Sequence, residues 1–579
     1  MRARLLLLAG VMALSACSGE TTRPPNVLLI SLDSTRRDLL SCYGRQPKYA
    51  PGLPTSPNLD RLAREGVVME DAYATTSWTL PSHVSMMTGL TEVEHAVDQS
   101  VHRYGSTRPM LAERLQAEGF TTAGFFSGPF LEPRFGFGRG FDRYEACYGK
   151  ELAAAATKAK RALEARDAAK ARGDQEAFLR YYRTSEAAQA ELQTASHFDV
   201  SSRDVTDGVL EELGRRADGK RPFFIFAHYF DPHYDYTAPT EYERYDPEYA
   251  GTLDASDFFN NRDIAGPATG PGPRVRKISD RDLDHVYALY EAELAWTDAQ
   301  VGRILDKLDE LGLAENTLVI VTSDHGDEFF EHGSIGHRRT LYEEVVQVPM
   351  ILRLPRDEAG ARPENERVSG LVSIADIPAT VVDVIGVEGK AAEGNGATSF
   401  LPLVRGETDG AERSVLSRIV MSFGLSYRAP QGAPVEQVPG RTMHVIETYR
   451  RGSIKVTRKR SWPEVMMRIH PELDARWAEE TRRKRSAETL TWIDVERHPD
   501  EPADAHSSDF SDPEARSVLR AFRDEYKTRL ARREESRYVE RDEGLQSMLK
   551  GLGYTAGDDP GAAPSDTLVL PPPGEGVLD

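Results

Sequence analysis

The amino-acid sequence predicts an α/β fold: a doubly wound, mostly parallel central sheet flanked by helices, with a helical insertion and a small C-terminal α+β subdomain. Continuous apolar runs such as "NVLLISLD" and "RPFFIFAHYFDPH" end in polar residues, as buried parallel strands do. Stretches of helical character alternate with these runs. That alternation, with ligand-type side chains at strand ends, is typical of doubly wound sheets whose sites lie along the carboxyl edge.

The predicted elements keep this alternation up to about residue 410. The strand at 26–33 ends in Asp33, a helix begins near Pro57, and a helical stretch, "LPSHVSMMTG", follows Thr79. "MLAERLQAEGFTTAGFFS" predicts a helix and then a strand, and "LDKLDELGLAENTLVIVTSDHGDE" predicts a helix, a turn, a strand and a polar cluster. Farther on, "HVIETYRRGSIKVTRKR" and "TLTWIDVERHPDEPADAHSS" indicate a small antiparallel sheet with helices.

Changes in composition set the remaining boundaries. Residues 150–196 are rich in Ala, Lys, Glu, Arg and Gln, which predicts a helical insertion with a solvated polar face. The Pro- and Gly-rich end of the chain indicates disorder. The resulting division is a signal peptide at 1–16, a lipidated tether at 17–25, an α/β domain at 26–410 with the insertion at about 150–196, a sheet-and-helix subdomain at 411–550, and a disordered tail at 551–579.

The N-terminus has the features of an export signal. Arg2 and Arg4 precede an apolar run that is shorter than the roughly 20 residues a bilayer span requires. "LSAC" resembles a bacterial lipoprotein cleavage box, so we expect lipidation of Cys17 to tether the mature chain to the membrane. The expected location is the bacterial cell envelope, periplasmic or at the outer membrane; a plain secretory signal is the alternative.

Charge and cysteine content exclude other classes of protein. The formal net charge of −20 argues against nucleic acid as a partner, because binding to phosphate backbones requires a basic face. An anionic substrate remains compatible with this charge, since a bound metal ion reverses the local field. Cys42 and Cys147 cannot form a disulfide framework for a chain of 579 residues, and we expect two unpaired thiols.

Four separate segments carry side chains suited to metal or phosphate chemistry. They are Asp33 after the first strand, Thr79 at the start of a helix, His228, Asp231 and His233 at the end of a middle strand, and Asp324, His325 and His337 after a late strand. Each alone has an ordinary structural explanation, such as a helix cap or a hydrogen-bonded core histidine. Because the strand ends meet at one edge of the sheet, together they predict metal-assisted chemistry at a shared site.

These segments resemble the sulfatase family of the alkaline-phosphatase-like superfamily in order and spacing. The resemblance rests on "PNVLLISLDSTRRDLLSCYG", "TLPSHVSMMTGLTEVEHAV", "HYFDPHYDY", "NTLVIVTSDHGDEFFEHGSIGHRRTLYEEVVQVPMILRLP" and "SIADIPATVVDVIG". It covers roughly residues 26 to 406. The resemblance implies a hydrolase of sulfuric- or phosphoric-type esters.

The nucleophile position departs from the family pattern. The family has Cys/Ser-x-Pro-x-Arg, whose first residue is oxidised to formylglycine, whereas this chain has Thr79, Pro81 and His83. Threonine has a secondary β-carbon, so its oxidation would give a ketone, and we expect no formylglycine. A threonine hydroxyl activated by a metal and by a helix N-terminus is an adequate nucleophile, and it resembles the threonine-using branches of the superfamily. Because a threonine ester cannot collapse to an aldehyde, the chemistry favours phosphoesters or phosphonoesters.

The resemblance also implies one divalent metal ion, held by Asp33, Asp324, His325 and Thr79. Ser34 stands where the family often has a second aspartate, so one carboxylate is missing. Many sulfatases have an asparagine at the position of His325. An imidazole in place of an amide oxygen favours Mn²⁺ or Zn²⁺ over Ca²⁺, although Ca²⁺ remains possible.

The remaining site predictions concern histidines and one arginine. His337 lies 12 positions after His325 (337 − 325), a spacing similar to that in the threonine-using transferases, and His233 matches a family histidine near the leaving-group oxygen. Both are predicted as general acid or anion contact, and His83, in the place of the family arginine, is a further catalytic candidate. His228, His95 and Arg36 are weaker substrate-binding candidates, His95 with a supporting role rather than direct contact.

Three functions are compatible with these residues. The first is hydrolysis of a metal-bound sulfuric- or phosphoric-type ester by in-line attack of Thr79, with an anionic ester of a glycan or lipid head group as substrate. The second is transfer of a phosphoethanolamine- or glycerophosphate-type group to an envelope glycan or lipid. The third is non-catalytic binding of sulfated or phosphorylated glycans, which Ser34 and His83 favour and the four predicted metal ligands disfavour.

Overall fold

A computed structural model describes residues 23–539, apart from 101, 173, 198–200, 218, 234, 254–263, 267–273, 358, 387–396, 426–439, 466–486 and 535–536. The predicted signal peptide, the lipidation site Cys17 and the predicted disordered tail lie outside the described residues. Cys42 and Cys147 are unpaired thiols, as expected from the sequence. None of the helices in the described part of the chain has both the length and the apolar character needed to cross a membrane.

The strands belong to one large sheet, one antiparallel four-stranded sheet and several two-stranded ladders. They are β1 (Asn26–Leu32), β2 (Val67–Met69), β3 (Ala72–Tyr73), β4 (His102–Arg103), β5 (Thr121–Phe126), β6 (Arg143–Ala146), β7 (Phe223–Tyr229), β8 (Thr317–Thr322), β9 (Glu328–Phe329), β10 (Ile335–Gly336), β11 (Met350–Arg353), β12 (Glu366–Val368), β13 (Val372–Ser373), β14 (Ser414–Leu425), β15 (Gly440–Arg451), β16 (Ile454–Val465), β17 (Ala487–Asp494) and β18 (Arg537–Tyr538).

The large sheet confirms the predicted fold class. Its strand order is β12-β2-β11-β8-β1-β7-β5-β6, and β1 runs parallel to both β7 and β8 in its centre. β11 alone pairs antiparallel with its neighbours β2 and β8. Along β1, Val27 and Leu29 pack into one apolar core while Leu28 and Ile30 pack into another. Because both faces are covered, the strand is a continuous apolar run rather than an alternating one.

The helices cover these two faces and supply the insertion region. They are α1 (Pro57–Arg64), α2 (Thr79–Thr88), α3 (Glu92–His95), α4 (Leu111–Ala117), α5 (Lys150–Ala171), α6 (Gln175–His197), α7 (Ser202–Arg216), α8 (Asp280–Glu310), α9 (Glu343–Val346), α10 (Ile377–Ile385), α11 (Leu401–Val404) and α12 (Pro513–Leu530). α5 and α6 pack against one another within the stretch predicted as a helical insertion. The side chain of Ser279 caps α8 by accepting a hydrogen bond from the amide of Asp282.

The C-terminal sheet, β14-β15-β16-β17, is antiparallel throughout and packs against α12. Its first strand also contacts the segment that leads into α2. The hydroxyl of Ser417 donates to the carbonyl of Ala74 at 2.6 Å, and the amide of Arg418 donates to the carbonyl of Thr75 at 2.8 Å. The C-terminal sheet therefore supports the backbone just before Thr79.

Candidate active site

The carboxyl ends of the three central strands bring the predicted metal ligands together. Asp33 follows β1, and Asp324 and His325 follow β8, the neighbouring parallel strand. These three residues are fully buried, and one ligand atom from each lies within 4.8 Å of the others. The sheet topology thus places on one edge what the sequence separates by almost three hundred positions.

Thr79 is the first residue of α2 and is also fully buried. Its hydroxyl donates to Oδ2 of Asp33 across 3.4 Å. The N-terminus of a helix carries partial positive charge, which favours an anion or a developing negative charge at this position. The structure therefore places a hydroxyl group beside the carboxylates, at the helix end where anionic groups are stabilised.

One oxygen of Asp324 and one nitrogen of His325 are left open for a cation. Oδ1 of Asp324 accepts from the amides of Ser34 and His325, at 3.1 and 3.0 Å. Within the described residues, Oδ2 of Asp324 and Nε2 of His325 have no hydrogen-bond partner, and these two atoms lie 3.3 Å apart. Buried polar atoms without partners are costly, and oxygen and imidazole donors at this spacing fit a divalent metal ion.

Ser34 supports these carboxylates rather than leaving a gap beside them. Its backbone has φ 54°, in the left-handed region, and its hydroxyl donates to Oδ1 of Asp33 at 3.0 Å. Its amide reaches Asp324 as described above, so one residue orients both acids. Non-glycine residues with positive φ are uncommon and concentrate at functional sites. Ser34, which the sequence predicts to leave one carboxylate missing, thus contacts both of the carboxylates that are present.

Burial dominates the electrostatics of this pair. It raises the pKa of Asp33 to about 7, against the opposing effect of His325 and the hydrogen bond from Ser34. The pKa of Asp324 is also raised, by burial and by the nearby Asp33. Two buried carboxylates disfavour each other's charge, and a bound cation would relieve that cost.

His83 has both ring nitrogens bonded within the protein. Nδ1 lies 2.8 Å from the carbonyl oxygen of Thr79, which only accepts, so Nδ1 carries the proton; Nε2 lies 2.9 Å from the hydroxyl of Ser31. Burial lowers the pKa of His83 to about 3, so the ring is neutral. In this arrangement His83 anchors the first turn of α2 through the backbone of Thr79.

His228 and His95 hold two different positions around this helix. Nε2 of His228, on β7, lies 3.2 Å from Oδ2 of Asp33, and burial lowers the pKa of His228 to about 4. His95 instead bonds the hydroxyl of Ser85 and the amide of Val97, at 3.2 and 3.1 Å. His228 therefore touches a predicted metal ligand directly, whereas His95 acts on α2 through Ser85.

His233 and His337 face each other at the same edge. Their ring centroids are 5.1 Å apart, and the His337 ring lies 4.4 Å from that of His325. The His233 ring stacks on Phe230 with a centroid separation of 4.2 Å. Burial, His325 and Arg338 lower the pKa of His337. The structure thus brings both predicted general acids to the site.

Arg36 lies close in sequence to Asp33, but its guanidinium is engaged elsewhere. It forms ion pairs with Asp38 and Glu331, at 2.8 and 2.5 Å, and donates to the carbonyl of Asp327 at 3.1 Å. Arg36 therefore holds the segment after β8 against the segment after β1.

Sequence reasoning missed three residues around the site. Asp327 and Tyr236 form a hydrogen-bonded chain behind His337, and the guanidinium of Arg338 lies 4.4 Å over the ring of Trp78, the residue before Thr79. The sequence does offer a signal for Asp327 and Arg338, since they flank recognised site residues. Tyr236 carries no comparable signal.

Comparison with protein families gives one decisive result. The sulfatase family model matches residues 25–387, which is more than half of the chain. The chain belongs to the sulfatase family. All of the predicted site residues fall within the matched range, whereas the C-terminal sheet, which begins at Ser414, lies beyond it.

Two curated members of this family illustrate the degree of similarity. An N-acetylglucosamine-6-O-sulfatase of Bacteroides thetaiotaomicron is 22% identical over 66% of this chain and 72% of its own length. The human iduronate 2-sulfatase is 24% identical over 63% of this chain and 67% of its own length. As a sulfatase-family enzyme the chain is a hydrolase of sulfuric- or phosphoric-type esters, and enzymes of this family depend on a metal.

Solved structures agree with the fold. A phosphonate monoester hydrolase of Agrobacterium radiobacter has a TM-score of 0.55 and 19% identity, over 88% of this chain and 95% of that one. A protein in complex with its substrate D-glucosamine-2-N,6-O-disulfate has a TM-score of 0.56 and 17% identity, over 89% of this chain and 100% of that one. At these identities the similarity establishes the shared α/β architecture.

Proposed function

We propose that this sulfatase-family enzyme uses the hydroxyl of Thr79 as its nucleophile. The observation that carries the proposal is the position of that hydroxyl, 3.4 Å from Oδ2 of Asp33 and at the N-terminus of α2. Thr79 attacks the sulfur or phosphorus in line, so that a bond from Oγ1 forms while the bond to the leaving oxygen breaks. Water then attacks the threonine ester and regenerates the hydroxyl.

The chain's own residues supply the remaining groups. His233 or His337 gives a proton to the leaving oxygen, and the first turn of α2 stabilises the charge that develops on the non-bridging oxygens. Asp33, Asp324 and His325 hold one divalent cation, for which we favour Mn²⁺ or Zn²⁺. When bound, this ion withdraws charge from the ester oxygens and lowers the pKa of the Thr79 hydroxyl.

The threonine also bears on the choice of ester. No formylglycine can form from Thr79, because its β-carbon is secondary. A threonine ester is released only by direct attack of water or an alcohol on the central atom, which is the usual course of phosphoryl chemistry. The proposed preference is therefore for phosphate diesters or phosphonate monoesters over sulfate esters, on a glycan or a lipid head group.

The site of action is a further part of this proposal. "LSAC" at residues 14–17 supports lipidation at Cys17 and a location in the bacterial cell envelope. An anchored enzyme would meet head groups and envelope glycans at high local concentration. Metabolic labelling with a radioactive fatty acid, compared between the wild type and Cys17→Ser, distinguishes a lipoprotein from a secreted protein.

Turnover of a matched substrate panel tests the nucleophile and the ester together. The panel contains an aryl sulfate, an aryl phosphate monoester, an aryl phosphate diester and an aryl phosphonate monoester, offered to the metal-loaded protein. We expect diester or phosphonate turnover that falls by about 10³-fold or more in Thr79→Ala and is largely retained in Thr79→Ser.

Other outcomes point to different functions. Turnover of the sulfate ester that depends on Thr79 would contradict the preference argued from the threonine ester. Faster release of phenol when an alcohol is added, with formation of the phosphoryl or phosphonyl ester of that alcohol, would indicate a transferase. Metal binding without turnover of any ester would favour a glycan-binding protein.

A further inference from the structure

The site contains two groups of possible metal ligands that share one residue. Asp33, Asp324 and His325 form the first, and His325, Asp327 and His337 form the second. Nδ1 of His325 lies 3.0 Å from the carbonyl oxygen of Gly326. A carbonyl oxygen only accepts, so Nδ1 carries the proton and Nε2 alone can bind a metal.

Nε2 of His325 belongs with the first group. It lies 3.3 Å from Oδ2 of Asp324 and 3.7 Å from Oδ1 of Asp33. One nitrogen lone pair binds one metal ion, so His325 cannot serve both groups at once. Asp327 and His337 therefore do not form a second metal site with His325, and we infer that they have another role.

The hydrogen bonds of Asp327 indicate that role. Its Oδ1 lies 2.7 Å from Nδ1 of His337, and its Oδ2 accepts from the hydroxyl of Tyr236 at 2.7 Å. All three side chains are at most 2% exposed. Both carboxylate oxygens of Asp327 thus receive a hydrogen bond from a fixed donor, and the three residues form a continuous chain.

This chain fixes which nitrogen of His337 can exchange a proton. Nδ1 donates to Asp327, which leaves Nε2 as the nitrogen that can act on an ester bound at Thr79. A buried carboxylate that holds a histidine in one tautomer is a common device of acid–base sites. The tyrosine hydroxyl, in turn, holds the carboxylate in the rotamer that faces the ring.

We propose that Asp327 is a positioning residue for His337 and that Tyr236 holds Asp327 in place. The proposal rests on the function proposed above, because it assigns His337 as the group that protonates the leaving oxygen. Nε2 takes up the proton that the Thr79 hydroxyl loses on attack, and the resulting imidazolium is paired with Asp327. Nε2 then gives that proton to the leaving oxygen as its bond breaks. Asp327 acts through hydrogen bonding and touches neither the metal nor the ester.

The test compares aryl esters that differ only in their leaving group. The esters are of the class that gives turnover in the substrate panel. Their leaving groups are phenols that range from 4-nitrophenol to phenol. A poor leaving group depends on protonation, whereas 4-nitrophenolate departs without it. We expect Asp327→Asn to lower kcat for the phenyl ester by about tenfold or more and kcat for the 4-nitrophenyl ester by less than about threefold.

The tyrosine provides a second, independent variant. Tyr236→Phe should show the same dependence on leaving group with a smaller loss, and the double variant should be no worse than Asp327→Asn, because Tyr236 acts only through Asp327. Tyr229→Phe is a matched control, since Tyr229 is also a buried tyrosine whose hydroxyl is 2.8 Å from that of Thr206, within the core. Any loss of kcat in Tyr229→Phe, relative to the wild type, should be the same for all leaving groups.

Three results would overturn the proposal. Loss of the bound metal in Asp327→Asn would make Asp327 a ligand. An equal loss of kcat for all esters in both variants would show that the hydrogen-bonded residues have only a structural role. Additive losses in the double variant would separate Tyr236 from Asp327. If Asp327→Asn fails to fold, the leaving-group dependence of Tyr236→Phe decides; a Thr79→Ala variant that keeps its activity would instead reject the underlying function.

Discussion

Two buried regions of the molecule carry clusters of charge, and they differ in how that charge is balanced. The first is the candidate metal site formed by Asp33, Asp324 and His325, which we call the metal centre. The second, which we call the arginine network, joins α3 and the C-terminal sheet. It consists of Glu92, Asp98, Arg418, Glu447, Arg458 and Arg460.

In the arginine network the protein supplies its own cations. Arg418 contacts Glu92 at 2.6 Å and Asp98 at 3.3 Å, and Arg458 contacts Glu447 at 2.6 Å. Although burial raises the pKa of Glu447, the three arginines outweigh it, and the pKa lies below its usual value. The carboxylates of Glu447 and Asp98 are therefore ionised and paired in the folded state, because the pKa of each lies below its usual value. Burial instead raises the pKa of Glu92 to about 8, against the opposing effect of Arg418.

At the metal centre the described residues supply no arginine or lysine to Asp33 and Asp324. The ion-pair partners of Asp33 and Asp324 among the described residues are histidines, namely His83, His228 and His325. Burial lowers the pKa of His83 and His228, so these two rings are neutral. Although burial opposes the change, Asp324, Asp33 and Asp327 raise the pKa of His325. Buried acids thus have two uses in this molecule. Arginines, which keep their charge, balance the acids of the network and stabilise the fold. The acids of the metal centre face imidazoles, which can give up a proton and leave room for a metal.

The largest expected effect comes from removing one open oxygen at the metal centre. In Asp324→Asn the remaining oxygen keeps the hydrogen bonds from Ser34 and His325, but the ligand charge is lost. Metals supply several kcal/mol of transition-state stabilisation, so we expect turnover to fall by roughly 10³-fold, with loss of bound metal. Metal content and kcat measure this directly.

The same variant tests the balance of charge. Without metal, Asp324→Asn should be at least as stable as the metal-free wild type, because it removes repulsion from Asp33. Added Mn²⁺ or Zn²⁺ should raise the melting temperature of the wild type and leave that of the variant unchanged. A metal-free variant that melts well below the metal-free wild type would show that Asp324 stabilises the fold, as the arginine network does.

The second effect, on stability, comes from opening the arginine network. Arg418→Met keeps a similar volume but leaves Glu92, Asp98 and Glu447 without their shared cation. Breaking a buried ion pair from one side typically costs about 3–5 kcal/mol, and we expect a loss of that size in the free energy of unfolding. Denaturant titration measures it, with metal content as the control, since the metal centre should be unaffected. A loss below about 1 kcal/mol would contradict the assigned role.

How far the sequence could anticipate these regions depends on the distance between partners. The central sheet was predictable because a strand covered on both faces is a continuous apolar run, as β1 is. Asp33, Thr79, Asp324 and His325 were predictable as candidates because each follows a strand or begins a helix at the same edge. The positions of these residues are a local property of the chain.

The rest depends on contacts that no local pattern encodes. Tyr236 meets Asp327 across 91 positions, and Arg418 meets Glu92 across 326 positions. From the sequence, Ser34 indicates only that one carboxylate ligand is missing. Its contacts with Asp33 and Asp324 depend on a left-handed backbone conformation, which the sequence does not specify. Arg36 has the charge of an anion-binding residue, yet its side chain pairs with Asp38 and Glu331. Side-chain direction decides such roles, and the sequence does not specify it.

The smallest expected effect comes from an exposed ion pair with the same chemistry as the arginine network. Arg303, on α8, contacts Asp207, on α7, at 2.7 Å, close to the 2.6 Å between Arg418 and Glu92. The side chains of Arg303 and Asp207 are 41% and 53% exposed, against 6% and 0% for Arg418 and Glu92. Water solvates both exposed groups after the pair is broken, so Arg303→Ala should cost no more than about 1 kcal/mol in the same denaturant titration. A cost comparable to that of Arg418→Met would mean that burial does not set the difference between the two pairs. The contrast between the arginine network and the metal centre would then need another physical basis, because it assumes that a buried carboxylate requires a cation that an exposed one does not.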